Sequence, residues 1–101
     1  DPRDEGGVPA ALSFQGAAPN PFNPRTRLLF SLAEAGPVEL VIYDVQGRRV
    51  KTLVDDALAA GPHEVMWDGV DQKGRAVASG LYLARLRSVQ QTRTAKLLLA
   101  R

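Results

Sequence analysis

The sequence predicts an all-β sandwich of about seven short antiparallel strands. Three observations predict it. Apolar residues recur at a period of two in short runs, turn residues (Gly, Pro, Asn, Asp) separate those runs, and no segment sustains a helical period. Strands that follow one another without helices bury their apolar faces by packing sheet on sheet. A chain of 101 residues suffices for one domain with a single modest core.

Residues 1–10 open with Asp1-Pro2-Arg3-Asp4-Glu5-Gly6-Gly7 and read as a flexible linker, with domains of a larger parent protein N-terminal to it. The sandwich is expected over 11–101. Ala11-Leu12-Ser13-Phe14-Gln15 forms its first strand, with Leu12 and Phe14 on one face. In Ala18-Pro19-Asn20-Pro21-Phe22-Asn23-Pro24 three prolines fix an irregular crossing segment, and Phe22 plugs the end of a core. Such segments can also dock on aromatic grooves as extended ligands, but the asparagines favour local turns.

Arg27–Leu32 alternates Leu28, Phe30 and Leu32 with polar neighbours, the mark of a half-buried strand. Val38–Asp44 sets Val38, Leu40 and Ile42 on one face, and Glu39, Val41 and Tyr43 on a face that is partly covered too. Gln46-Gly47 supplies a hairpin turn, and Arg48–Val54 returns as a charged edge strand whose paired arginines read as edge protection before an anion site. Residues 55–62 carry mild helical character ended by Gly61-Pro62. His63–Trp67 is a strand with His63, Val65 and Trp67 on one side. A polar corner over 68–79, rich in Asp and Gly, leads into Leu81–Arg87, and Ala95–Leu99 closes the sandwich. The predicted core is Phe22, Leu28, Phe30, Leu40, Ile42, Val65, Trp67, Tyr82 and Leu86.

Composition narrows the chemistry. A net charge of +2 with no stripe of interleaved basic and aromatic residues gives nucleic acid no footprint. There is no Cys for disulfides or thiolate metal sites, and no apolar run approaches the ~20 residues of a membrane helix. His63, the single histidine, lies on an apolar strand face and reads as packed or hydrogen-bonded, with no companions for a metal or a catalytic relay. Asp68, Asp71 and Gly74 faintly resemble a calcium loop, yet lack alternating oxygen ligands and a distal bidentate Glu, so Asp68, Gly69, Asp71 and Gly74 read as turn formers. The expectation is a domain that is not an enzyme and takes no cofactor or metal. A Gly80-Leu81-Tyr82 tyrosine corner is expected by analogy of spacing, with Ala84 two residues on.

Four pieces, in order, carry a resemblance over 18–101. They are Asn20-Pro21-Phe22-Asn23-Pro24, then Val38-x-Leu40-x-Ile42-Tyr43-Asp44-x-x-Gly47-Arg48-x-Val50, then Gly61-x-His63-x-x-x-Trp67-Asp68-Gly69, then Ser79-Gly80-x-Tyr82. Together they resemble the immunoglobulin-like domain of the flagellar hook-capping protein and the C-terminal sorting domains of the type nine (Por) secretion system. The resemblance implies an immunoglobulin-like sandwich within a larger bacterial protein that is secreted or held at the cell surface after passing the periplasm. In the sorting version the partners are an outer-membrane translocon, which reads the folded domain, and a sortase-like peptidase, which removes it. The sorting motifs then fall on Pro19-Asn20-Pro21, on Tyr43-Asp44 with Gly47 and Val50, on Gly80 and Tyr82, and on the last strand from Lys96. In the hook-capping version, which the long 68–79 connection resembles, the domain is a structural or adhesive accessory: a spacer, an assembly contact or a carbohydrate-binding module.

Overall fold

Seven antiparallel strands make two sheets in a computed structural model that describes residues 12–89 and 91–101. The expected linker over 1–10 and the strand residue Ala11 lie outside the described residues. The strands are β1 (Leu12–Ala18), β2 (Thr26–Leu32), β3 (Gly36–Asp44), β4 (Arg49–Leu58), β5 (Gly61–Trp67), β6 (Gly80–Arg87) and β7 (Thr92–Leu99). One sheet runs β1-β2-β5 and the other β4-β3-β6-β7. The result is an immunoglobulin-like sandwich in which β4 pairs with β3, where constant-type antibody domains hold their fourth strand beside the fifth.

Alternation decides what faces inward. Leu28 and Phe30 of β2, Leu40 and Ile42 of β3, Leu86 of β6 and Leu97 of β7 interdigitate between the sheets, all essentially inaccessible to solvent. Phe22, from the Pro-rich crossing, closes one end of this core against Trp67, with ring centroids 5.5 Å apart, and Trp67 meets Tyr82 edge-on at 5.3 Å. Of the nine predicted core residues only Val65 is incompletely buried, because β5 is an edge strand with no neighbour beyond it.

Residues 55–62 are not helical. Asp55–Leu58 continue β4, pairing with Gly36–Glu39 of β3, and β5 begins at Gly61. Backbone pairing to β3 overrides the weak local preference, which is too short to nucleate a helix alone. Two register shifts in the β3–β4 ladder, at Leu40/Val41 and Ile42/Tyr43, turn the extra β4 residues Leu53 and Val50 against the core.

The ladders also fix which loops share an end. Thr26 lies opposite Trp67, Asp44 opposite Tyr82, and Gly80 opposite Leu99. The crossing over 19–25, the β3–β4 turn, the 68–79 connection and the chain beyond Leu99 therefore gather at one end. Leu12, opposite Leu32, lies at the other end with the β2–β3 and β6–β7 turns.

Candidate functional site

The end that collects these four segments is the candidate site, and it is built largely from backbone-mimicking side chains. Asn20 donates from Nδ2 to the Lys96 carbonyl (2.9 Å) and accepts at Oδ1 from the Leu98 amide (2.9 Å). Its amide supplies the two bonds that another strand would have made to the outer edge of β7. Phe22 extends the mimicry, its amide bonded to the Leu98 carbonyl and its carbonyl to the Ala100 amide, each at 2.9 Å. The Pro19 carbonyl accepts from the hydroxyl of buried Thr26 (2.7 Å), which fastens the crossing to β2, and Pro21 stands exposed between these anchors.

On the opposite edge of the same sheet Gln72 does what Asn20 does for β7. Its backbone amide donates to the Val50 carbonyl (3.0 Å) and its side-chain Oε1 accepts from the Thr52 amide (2.9 Å). Both edges of the four-stranded sheet are thus covered at this end, β7 by the Asn20 side chain and β4 by the backbone amide and side-chain oxygen of Gln72, which blocks unplanned strand pairing.

Two loops here have one design. Asp44-Val45-Gln46-Gly47-Arg48 and Asp71-Gln72-Lys73-Gly74-Arg75 share the pattern Asp-x-x-Gly-Arg. In each, the Asp amide bonds to the Arg carbonyl and the Gly amide to the Asp carbonyl, over 2.8–3.0 Å. In each, Asp Oδ1 accepts two backbone amides, two and four residues on, and Oδ2 pairs with the Arg Nε, at 2.9 Å for Arg48 and 3.4 Å for Arg75. The fourth position has φ of 83° at Gly47 and 82° at Gly74, which a residue with a Cβ rarely adopts. The amide of Arg48 holds the Asp44 carboxyl below its ordinary pKa, helped by the Arg48 side chain and the Gln46 amide, while partial desolvation opposes them. The amide of Arg75 does the same for Asp71, again against desolvation, with the Lys73 amide and the Arg75 charge assisting. These are closed turns with their carboxylate oxygens already occupied. Among the described residues no group of three or more His, Cys, Asp or Glu is placed to hold a metal ion.

Tyr82 makes the tyrosine corner. Its hydroxyl donates to the Ala78 carbonyl at 2.6 Å, four residues upstream, and burial followed by the nearby Asp44 charge pushes its pKa above the ordinary value. Trp67 is tied down at Nε1 by the Val70 carbonyl (2.9 Å). On the outer sheet face Tyr43 accepts from Arg85 Nη2 (2.6 Å) with the guanidinium carbon 4.9 Å from its ring centroid, and Arg87 pairs with Glu39 at 2.9 Å. His63 lies away from this end, stacked on Phe30 with Nε2 2.7 Å from the Ala59 carbonyl.

The residues of the sorting motifs belong to this end, whereas Val38, Gly61 and His63 of the same resemblance lie towards the other. Pro19, Asn20 and Pro21 are brought against Lys96 and the strand that follows it, Tyr43 and Asp44 open the β3–β4 turn with Gly47, and Val50 lies just beyond it under Gln72. Gly80 starts β6 beside Leu99, and Tyr82 lies opposite Asp44. Asp68 is exposed at the head of the 68–79 connection, where Gly69 is buried and Gly74 closes the second Asp-x-x-Gly-Arg loop. Sequence reasoning missed the edge-covering roles of Asn20 and Gln72, which no local pattern announces. It also missed the repeated pentapeptide, which was visible by simple self-comparison.

A two-sheet sandwich with a tyrosine corner and a built loop end defines the class: an immunoglobulin-like β module. The chain belongs to the FlgD Ig-like domain family, whose pattern matches residues 24–92. Among solved structures it is similar to FlgD from Xanthomonas campestris, a structure described for hook capping in flagellar assembly. The identity is 29% and the TM-score 0.57, over 90% of this chain and 63% of that one. It is similar in fold to dimeric latent PorU from Porphyromonas gingivalis (21% identity, TM-score 0.70, 95% of this chain and 10% of that one). It is similar in fold also to PorZ of the same organism, a surface component of its type-IX secretion system (18% identity, TM-score 0.59, 84% of this chain and 11% of that one). The chain therefore spans about a tenth of PorU and PorZ and less than two thirds of that FlgD chain. No curated protein sequence matches it. Among the described residues no helix is long and apolar enough to cross a membrane.

Proposed function

We propose that this domain is a non-catalytic sorting module of a larger secreted or cell-surface bacterial protein, read in folded form by the outer-membrane translocon of a type nine system. The observation that carries the reading is convergence. Motif residues from four separate segments meet at one end, opposite the end where β1 begins at Leu12. A cargo attached before β1 then lies away from the surface to be read. Removal by a sortase-like peptidase would follow recognition, and no cofactor takes part. The fold likeness to PorU and PorZ supports a place in that system without assigning a role in it.

The test is a fusion of residues 1–101 behind an inert reporter exported to the periplasm of a bacterium with a type nine system. The expected result is reporter outside the cell, dependent on the translocon. Reporter stranded in the periplasm with the domain folded and intact would favour the second reading, a structural or adhesive accessory of the hook-capping type. That reading draws on the 29% identity to FlgD.

A further inference from the structure

Residues 70–76 of the 68–79 connection close on themselves through backbone and side-chain bonds. Val70 bridges Ala76, Asp71 closes its turn with Arg75, and Gln72 at the tip covers the β4 edge at Val50 and Thr52. Gly69 and Val77 flank this unit and are bonded to each other, Val77 amide to Gly69 carbonyl, at 3.0 Å. Arg101 is bound at both flanks. Its Nη2 donates to the Gly69 carbonyl, its Nε donates to the Val77 carbonyl (2.8 Å), and its amide donates to the Ser79 hydroxyl (3.0 Å). Gly69 is pinched to admit it: a Cβ there would lie 2.8 Å from Arg101 Nη2 and 3.2 Å from the Pro24 carbonyl oxygen.

From this geometry we infer that Arg101 is a latch that controls access to the β4 edge. A planar guanidinium can hold two carbonyls at once in a fixed fork, which an ammonium on a flexible stem does not reproduce. With the latch in place, the 70–76 unit is held down and Gln72 occupies the edge. With the latch released, the unit turns on Gly69 and Val77 as one piece, and Gln72 leaves the Val50 carbonyl and the Thr52 amide. Those two groups are then free for the partner whose chemistry Gln72 already copies: an extended backbone segment, added as a strand with one N–H to Val50 and one C=O to Thr52. Charge along this edge is mixed, with Arg48, Arg49 and Lys51 beside the two groups and the exposed Asp55 and Asp56 further along β4, so the edge selects the partner by its backbone and not by its charge. The latch depends on these contacts alone and operates whether or not the domain is a sorting signal.

Amide-resolved hydrogen exchange on the full chain tests the latch. Arg101→Ala should raise exchange at Thr52, Gln72 and Val77 by ~10-fold or more while core amides of β3 and β6 keep their protection. Arg101→Lys should fall between the two. Gln72→Ala should expose Thr52 by itself, and adding Arg101→Ala to it should leave Thr52 unchanged, since both act on one contact. Parent-like protection of Thr52 and Gln72 in Arg101→Ala would overturn the latch. So would a uniform rise across the core, or additive effects of the two substitutions at Thr52.

Discussion

Replacing Trp67 with Ala removes the largest buried side chain at the point where the Pro-rich crossing, β5 and β6 meet. The indole is 1% exposed, lies 5.5 Å from the Phe22 ring and 5.3 Å from the Tyr82 ring, and donates to the Val70 carbonyl. Truncating a buried Trp to Ala costs about 3–5 kcal/mol through lost transfer and the cavity left behind. Two aromatic contacts of about 0.5–1.5 kcal/mol each place the expected loss at the upper end of that range. Against a typical domain stability of about 5–15 kcal/mol, such a loss takes much of the folded state's margin. Equilibrium unfolding in urea is the assay, read as a fall in midpoint at constant slope. Trp67→Phe, which keeps a ring but loses the bond to Val70, should cost less than half as much. A loss below about 1 kcal/mol for Trp67→Ala would refute the placement of Trp67 as the keystone of this end.

Three further outcomes follow from named contacts. Asn20→Ala removes both side-chain bonds to β7 and should cost about 1–3 kcal/mol in the same assay, with faster exchange at the Leu98 amide. Gly69→Ala meets both a φ of 74° and the approach of Arg101 and the Pro24 carbonyl, so it should cost more than the about 1 kcal/mol typical of exposed glycine positions, measured by thermal melts. Asp44 and Asp71 titrate lower in the folded than in the unfolded chain. Their contribution is therefore complete above about pH 4 and is lost as pH falls through their lowered folded values. Asp44→Asn with Asp71→Asn should flatten stability against pH below about pH 4, and an unchanged acid slope would contradict the closed-turn account.

Much of the fold was legible because it rests on local alternation. The period of two in Arg27–Leu32 and Val38–Asp44 placed Leu28, Phe30, Leu40 and Ile42 in the core, where they are. The spacing of Gly80 and Tyr82 anticipated the hydroxyl bond to Ala78. What escaped the sequence depends on partners far along the chain. Asp55–Leu58 read as weakly helical because only pairing with β3 makes them a strand. Asn20 lies 76 residues from Lys96 and Gln72 lies 20 from Thr52, so neither edge cover leaves a local signature. No local pattern marks Arg101, whose contacts need Gly69 and Val77 beneath it. The sorting-motif residues were named from a resemblance one by one, and their convergence on one end came only with the ladder registers.

Export of the reporter fusion with matched surface substitutions at the two ends tests the central claim most directly. Lys96→Glu alters an exposed charge on β7 where Asn20 clasps it, and Glu34→Lys alters an exposed charge at the far end. With both variants melting as the parent does, the account predicts that Lys96→Glu strands the reporter in the periplasm while Glu34→Lys is exported normally. Equal export of both, or a block by Glu34→Lys alone, would contradict it.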